Sequence, residues 1–416
     1  MAHLLIIELP GGNDTDIVQA ALALGHEFTF LTQDISLYTR QSAVATWVNQ
    51  AVRVIESRDF DYPSVLAQVL QAHEVQPLDA VICLLDIRLI EAAQLAKALG
   101  LNYLNPDSAT LLRDKFNVRT RLAQAGIEQP EFALATNNAQ IQQAIDALGL
   151  PILLKPSDGY GSQNILTLLT QADLQRAQSL LTQLLPMASD YGLGVMSNDR
   201  LLIERYMSGV FIGCDTLTVN GTHHLLGIHE KLMFSPPSFA IKGGCFLPNQ
   251  GEWPGLEDYL KRLLNAVGFD CGAAHIEIML TPQGPRLVEI NPRLVGAKIA
   301  RLVAYSLNCS VHELLIQLHL GLEPLPLPDT QRAQPAVSRW FIAENTGQFA
   351  GFTPPQWQNE GIKCTEILKK IGDTVSYPFE NAQRLGYVMA CCPTRQEAEH
   401  LAEKYIEDSR IEINSH

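Results

Sequence analysis

At 416 residues the chain has room for two or three domains of about 100–200 residues each, and 47% hydrophobic against 18% charged residues allows a large core. The 30 Lys and Arg against 44 Asp and Glu leave a formal net charge of −14, which argues against nucleic acid or an anionic membrane as main partner, since both need basic patches. The eight cysteines include no Cys-x-x-Cys pair, residues 3–9 form no secretory leader, and no apolar run approaches the ~20 residues of a membrane span, so a cytoplasmic location is expected.

Residues 1–105 alternate strand and helix patterns: Leu4–Glu8, Thr15–Leu24 ended by Gly25, Glu27–Leu31, Ser64–Ala72, Ala80–Leu84, then Ile90–Leu99 ended by Gly100. That alternation predicts a Rossmann-like parallel sheet with helices on its faces. Pro10-Gly-Gly-Asn13 lacks the Gly-x-Gly-x-x-Gly spacing of a phosphate loop and reads as a turn. Asn105-Pro106 marks a boundary, followed by helices over Ser108–Arg113 and Lys115–Ala125, with Gly126 in the capping position.

Lys155 ends the apolar run Leu150-Pro-Ile-Leu-Leu-Lys, where an ammonium needs an anionic partner. The loop Ser157-Asp-Gly-Tyr-Gly-Ser162 follows at once. Glycines at 159 and 161 would let backbone N–H groups and Ser162 approach a phosphate; an ordinary hairpin turn is the competing reading. Leu201–Gly209 is a strand running into a turn. His229-Glu230 lacks the second histidine of a zinc-protease helix and His223-His224 are adjacent, so zinc hydrolysis has no support.

His275-Ile-Glu-Ile-Met and Arg286-Leu-Val-Glu-Ile-Asn-Pro-Arg293 flank Thr281-Pro-Gln-Gly-Pro285, a predicted β-hairpin with Pro282-Gln283-Gly284 as its loop. This register sets Glu277 across from Glu289 and His275 across from Asn291, with Glu277, Glu289, Asn291 and Arg293 on one side. Facing carboxylates repel, whereas a divalent cation between them reverses the sign, and an all-oxygen set favours a hard metal such as magnesium. A solvated acidic face is the alternative; Ile276, Ile278, Leu287, Val288 and Ile290 argue for a core instead. Beyond it, Lys298–Leu307 is helical, Ser310-Val-His-Glu313 caps another helix, and Leu322–Pro328 is a Pro-rich linker. Residues 333–416 carry a small α/β module with strands at Ala336–Ala343 and Tyr387–Cys391 and a helix capped by Thr394.

The segment from Gly272-Ala-Ala-His-Ile-Glu277 to Glu289-Ile-Asn-Pro-Arg-Leu-Val-Gly296, with Asp114-Lys115-Phe-Asn-Val-Arg119, resembles the ATP-grasp carboxylate–amine ligases, and most of all their L-amino-acid (dipeptide) ligase branch. The resemblance implies three units: a Rossmann-like domain at 1–105, an ATP-grasp core of two α+β subdomains at 106–325, and a C-terminal α/β module at 326–416. It implies ATP-dependent joining of a carboxylate, expected to be an amino acid, to an amine through an acyl phosphate, with release of ADP and phosphate. Lys115, Lys155, Gly159, Gly161, Ser162, Glu204 and Met207 would bind the nucleotide, with Glu204 near the adenine amino group. Glu277, Glu289 and Asn291 would hold one or two magnesium ions, for which manganese could substitute. Arg293 would donate to the tetrahedral intermediate, Lys231 would lie near substrate or phosphates, and His275 would contact substrate, order the metal shell, or simply bond a neighbour. Phe211 stands where the family carries a ribose-binding glutamate, which leaves Asp215 as a substitute. The implied partners are small-molecule carboxylates and amines, with no nucleic acid or membrane, and a homodimer is compatible. Two other readings stay open: a carboxylase of the biotin or purine-pathway type, and a non-catalytic nucleotide-binding protein.

Overall fold

The computed structural model describes residues 1–159, 165–175, 187–188, 195–196, 199–234, 241–248, 253–296, 298–377 and 383–414. Its N-terminal part is a four-stranded parallel sheet in the order Arg53–Glu56, Glu27–Thr32, His3–Ile7, Ala80–Cys83. Both faces are covered by helices, so the strand His3–Ile7 is buried along its whole length and lacks polar alternation. The strand Arg53–Glu56 was not foreseen: its four residues, Arg-Val-Ile-Glu, are too few to show a period and do not alternate.

A second, antiparallel sheet joins Phe132–Ala135, Leu201–Arg205, Ile152–Pro156 and Leu166–Leu168 in that order. It meets the largest sheet where Lys155 reaches Val288 O, and that sheet's eight strands run Gly284–Asn291, Gly272–Thr281, Val210–Val219, Thr222–Met233, Ile241–Leu247, Ala336–Phe341, Gly386–Cys391 and Ile362–Ile367. Every neighbouring pair in it is antiparallel. Three of those strands come from beyond residue 333, so the C-terminal module continues the central sheet, through pairs such as Gly244 with Ser338. A smaller sheet of Thr374–Val375, Gly347–Thr353 and Arg410–Asn414 completes that module.

Six cysteines are buried and the other two half-buried, all of them free, and they pack as small core residues. No helix among the described residues is long and apolar enough to cross a membrane.

Candidate active site

The site is built on one face of the central sheet. The register sets Glu277 opposite Glu289 and His275 opposite Asn291, but by a route different from the expected one. The turn is two residues, because Thr281 pairs with Gly284. Continued without interruption, that register would put Val288 opposite Glu277 and turn Glu289 to the other face. A bulge corrects it: Ile278 pairs with Leu287 and Glu277 with Glu289, leaving Val288 as the extra residue. Val288 is accordingly half-buried, while Ile276, Ile278, Leu287 and Ile290 are core, as expected.

The bulge does a second thing. It releases the carbonyls of Leu287 and Val288, which accept hydrogen bonds from the Arg119 guanidinium at 2.8 and 3.2 Å; Val288 O also accepts from Lys155 at 3.2 Å. Arg119 is 2% exposed, its Nε bonds Glu204, and Lys155 Nζ lies 2.8 Å from the other Glu204 oxygen. The anion that Lys155 was expected to require is therefore supplied by the chain itself. Burial raises the carboxyl pKa of Glu204, but Arg119 and Lys155 outweigh it and hold the group below its usual range.

Each facing acid also has its own lysine. Lys115 lies 2.9 Å from Glu289 and Lys231 2.7 Å from Glu277, with the Lys231 ammonium 4.4 Å from the centre of the Phe211 ring. Burial pushes the Glu277 carboxyl up, but Lys231 and His275 draw it down further, so it stays ionised. Lys115 is fixed from below. Asp114 caps its helix through Asn117 N and accepts from Ser157 Oγ at 2.6 Å, Lys115 N donates to Ser157 O, and Lys115 Nζ reaches Gly159 O. The helix start and residues Ser157–Gly159 are thus one unit. Gly161 and Ser162 lie outside the described residues.

Met207 is half-buried in the turn before Gly209, where any Cβ would run into the Leu280 backbone carbonyl. Arg293, placed beyond Asn291, is bound 2.8 Å from Asp86 at the end of the N-terminal sheet. Asp86 is a site residue that the sequence did not disclose: nothing local distinguishes it from any acid in a loop. Arg119 and His229 were also missed as site members, the first hidden inside a helix pattern and the second dismissed with the zinc motif.

One expectation needs correction. Asp215 is not available to a ribose: it is 5% exposed, with one oxygen bonded to His229 Nε2 and the other to His275 Nδ1 at 2.8 Å. The Glu204 carboxylate is likewise bound by Arg119 and Lys155. His275 makes a bond to a neighbour, one of its three expected roles. Two large clefts, of about 1030 and 810 Å³, lie elsewhere and are lined by neither facing acid.

Three family models match successive stretches of the chain: the ATP-grasp N-terminal domain over residues 18–102, the ATP-grasp domain over 148–301, and the L-amino acid ligase C-terminal domain 2 over 339–414. An uncharacterized protein of Sinorhizobium fredii is 25% identical over 311 residues, 73% of this chain and 62% of that protein's length. The L-arginine-specific L-amino acid ligase of Bacillus subtilis is 23% identical over 376 residues, 88% of both chains. The crystal structure of the L-amino acid ligase from Bacillus licheniformis superposes with a TM-score of 0.79 at 20% identity, covering 100% of this chain and 99% of that one. The facing acids with their lysines, the three consecutive matches and the shared fold converge: this chain belongs to the ATP-grasp superfamily, in its L-amino acid ligase branch.

Proposed function

We propose that the protein is an ATP-dependent ligase that joins an amino-acid carboxylate to an amine, through an acyl phosphate, with release of ADP and phosphate. The observation that carries this reading is the pair Glu277 and Glu289, facing each other in register and each bound to a lysine. The names of the Bacillus subtilis and Bacillus licheniformis relatives support an amino acid as substrate.

The residues present fit the implied groups. Two carboxylates and the Asn291 amide oxygen on one face form a hard, all-oxygen set suited to magnesium, which when bound neutralises charge on a transferring phosphoryl group. Lys115, bonded to Gly159 O, and Lys155, bonded to Val288 O at the bulge, supply donors for phosphate oxygens. Met207 lies at the adenine end, and Lys231 completes the charge balance beside Glu277. Arg293, oriented by Asp86, presents its guanidinium on the side of the N-terminal sheet, where a carboxyl oxygen gathers negative charge during amide formation. The division at about residues 105 and 325 is part of the same proposal.

The test is a matrix of amino-acid pairs with ATP and magnesium, scored by phosphate release and by amide product. Release that needs both amino acids and no bicarbonate supports the ligase. Bicarbonate dependence favours a carboxylase, and no turnover across the matrix favours a binding protein. Glu289→Gln is expected to lower turnover by at least about 100-fold with the fold unchanged, as for loss of a major electrostatic contribution; full activity in this variant removes the metal assignment.

A further inference from the structure

We infer that Asp215 is a positioning residue for the ligation step, holding His275 as a hydrogen-bond acceptor for the incoming amine. The inference rests on the ligase reading.

The row formed by His275, Asp215 and His229 crosses three strands of the catalytic face. His275 pairs in register with Asp215, and His229 with Gly213, which in turn pairs with Glu277. All three side chains are buried, so their polar atoms must be answered inside the protein. Burial raises the Asp215 carboxyl pKa, but the two histidines outweigh it and hold the group well below the usual carboxylate range. An ionised carboxylate only accepts, so His275 Nδ1 and His229 Nε2 are the donors. In its neutral form a ring that donates from Nδ1 carries the accepting lone pair on Nε2.

The sheet is cut to fit this row. A Cβ at Gly213 would come within 2.9 Å of His275 Nε2 and closer still to Cε1, so only glycine lets the ring lie across that strand, beside Glu277. At Gly227 a Cβ would strike the Phe246 ring, which packs 4.8 Å from the His229 ring and holds the far end of the row. Glycine is needed here for close approach, since neither position has a positive φ.

Its place on the face says which substrate it meets. Glu277 and Glu289 form one row; His275 and Asn291 form the next; Arg293, tied to Asp86 of the N-terminal sheet, follows. Asp215 and Arg293 also line one small enclosed space of about 10 Å³. The histidine row thus lies between the acids and Arg293, on the side away from the turn at Met207. An amine attacking an acyl group held by Arg293 brings its N–H donors to this floor.

The same three donors, all within 4.8 Å of one another, could be taken for a zinc site. Tetrahedral zinc with bonds of about 2.0–2.1 Å sets its ligands roughly 3.3 Å apart. At 2.8 Å the His275–Asp215 contact is a direct hydrogen bond with no ion between.

The experiment compares Asp215→Asn, Asp215→Glu and Gly213→Ala with the unaltered enzyme, each first checked for an unchanged thermal unfolding midpoint. Amide formation with the best amino-acid pair is measured beside trapping of the activated carboxylate by excess hydroxylamine, a strong nucleophile that is unprotonated at neutral pH. For Asp215→Asn the expected result is a fall of roughly 10- to 100-fold in kcat/KM for the amine, with KM for ATP and the rate of hydroxamate formation within about twofold. Asp215→Glu should recover part of the loss, and Gly213→Ala, which displaces the ring without touching the carboxylate, should reproduce it. Equal losses in both assays, no loss in either, or stoichiometric zinc in the purified protein would overturn the inference. If the unaltered enzyme forms neither amide nor hydroxamate with any pair, it is the ligase reading that fails.

Discussion

Lys155 ends an apolar strand at 5% exposure, and the sequence already said that an ammonium there must find an anion. It could not say that Glu204, 49 positions later in the chain, would be that anion and would share itself with Arg119. Two cations on one buried carboxylate make Glu204 the residue whose loss costs most. Glu204→Gln leaves both cations without a charge partner, and the expected destabilisation is about 3–5 kcal/mol, read from the urea unfolding midpoint. An unchanged midpoint would mean that water reaches this cluster. Lys115 and Lys231 are more exposed than Lys155, so their bonds to Glu289 and Glu277 add less to stability. They instead keep two facing carboxylates from repelling each other until a ligand arrives.

At the scale of elements, the facing acids were legible because strand alternation is strict and both runs are strongly apolar on the other face. The turn was misjudged by one residue. A bulge at Val288 cancelled that error, and no local signal marks a bulge whose purpose is to feed carbonyls to Arg119 and Lys155. The helix Val311–His319 shows a similar limit. Its N-cap at Ser310 was evident, although Glu313 does not complete the capping box, whereas the burial of its last residue was not evident. His319 stacks on Tyr103 at 4.7 Å, and its Nδ1 lies 3.3 Å from Asn102 O. Burial lowers its pKa from 6.5 to about 4. A histidine kept neutral in the folded state takes up its proton first when unfolded, so stability is full above pH 6.5 and declines as the pH falls towards 4. The loss attributable to this residue across that window is about 3 kcal/mol. His319→Gln should flatten the pH dependence of the urea midpoint between pH 7 and 4.5; an identical slope in both proteins would assign acid sensitivity elsewhere.

Across the whole molecule, the N-terminal unit is held to the rest by ion pairs. Asp16 accepts two hydrogen bonds from Arg301, each of 2.6 Å, and Lys298 lies 2.9 Å from Asp14. Arg301 also reaches Glu366 in the C-terminal module at 3.2 Å, so a single guanidinium ties three parts of the chain together. Arg301→Met is expected to cost about 1–3 kcal/mol, less than a fully buried pair because the arginine side chain is 28% exposed. Limited proteolysis should then cut earlier within residues 1–105, while equal cleavage rates would show that apolar packing alone holds the interface.

Alternation, turn residues and caps are short-range signals, and they were enough to fix the parallel N-terminal sheet, the acid hairpin and the helix starts after Asp114, Ser310 and Thr394, whereas the helix expected from Ser108 opens at Pro106. Tertiary structure alone decided which buried charge answers which: Glu204 for Lys155 and Arg119, Asp86 for Arg293, and Asp215 for two histidines instead of a ribose. It also decided that strands from beyond residue 333 extend the central sheet. The physical reason is the same in each case. Periodicity acts between residues a few positions apart, whereas desolvated charges and open sheet edges are satisfied by whatever the folded chain brings within 3 Å, however far away it lies in sequence.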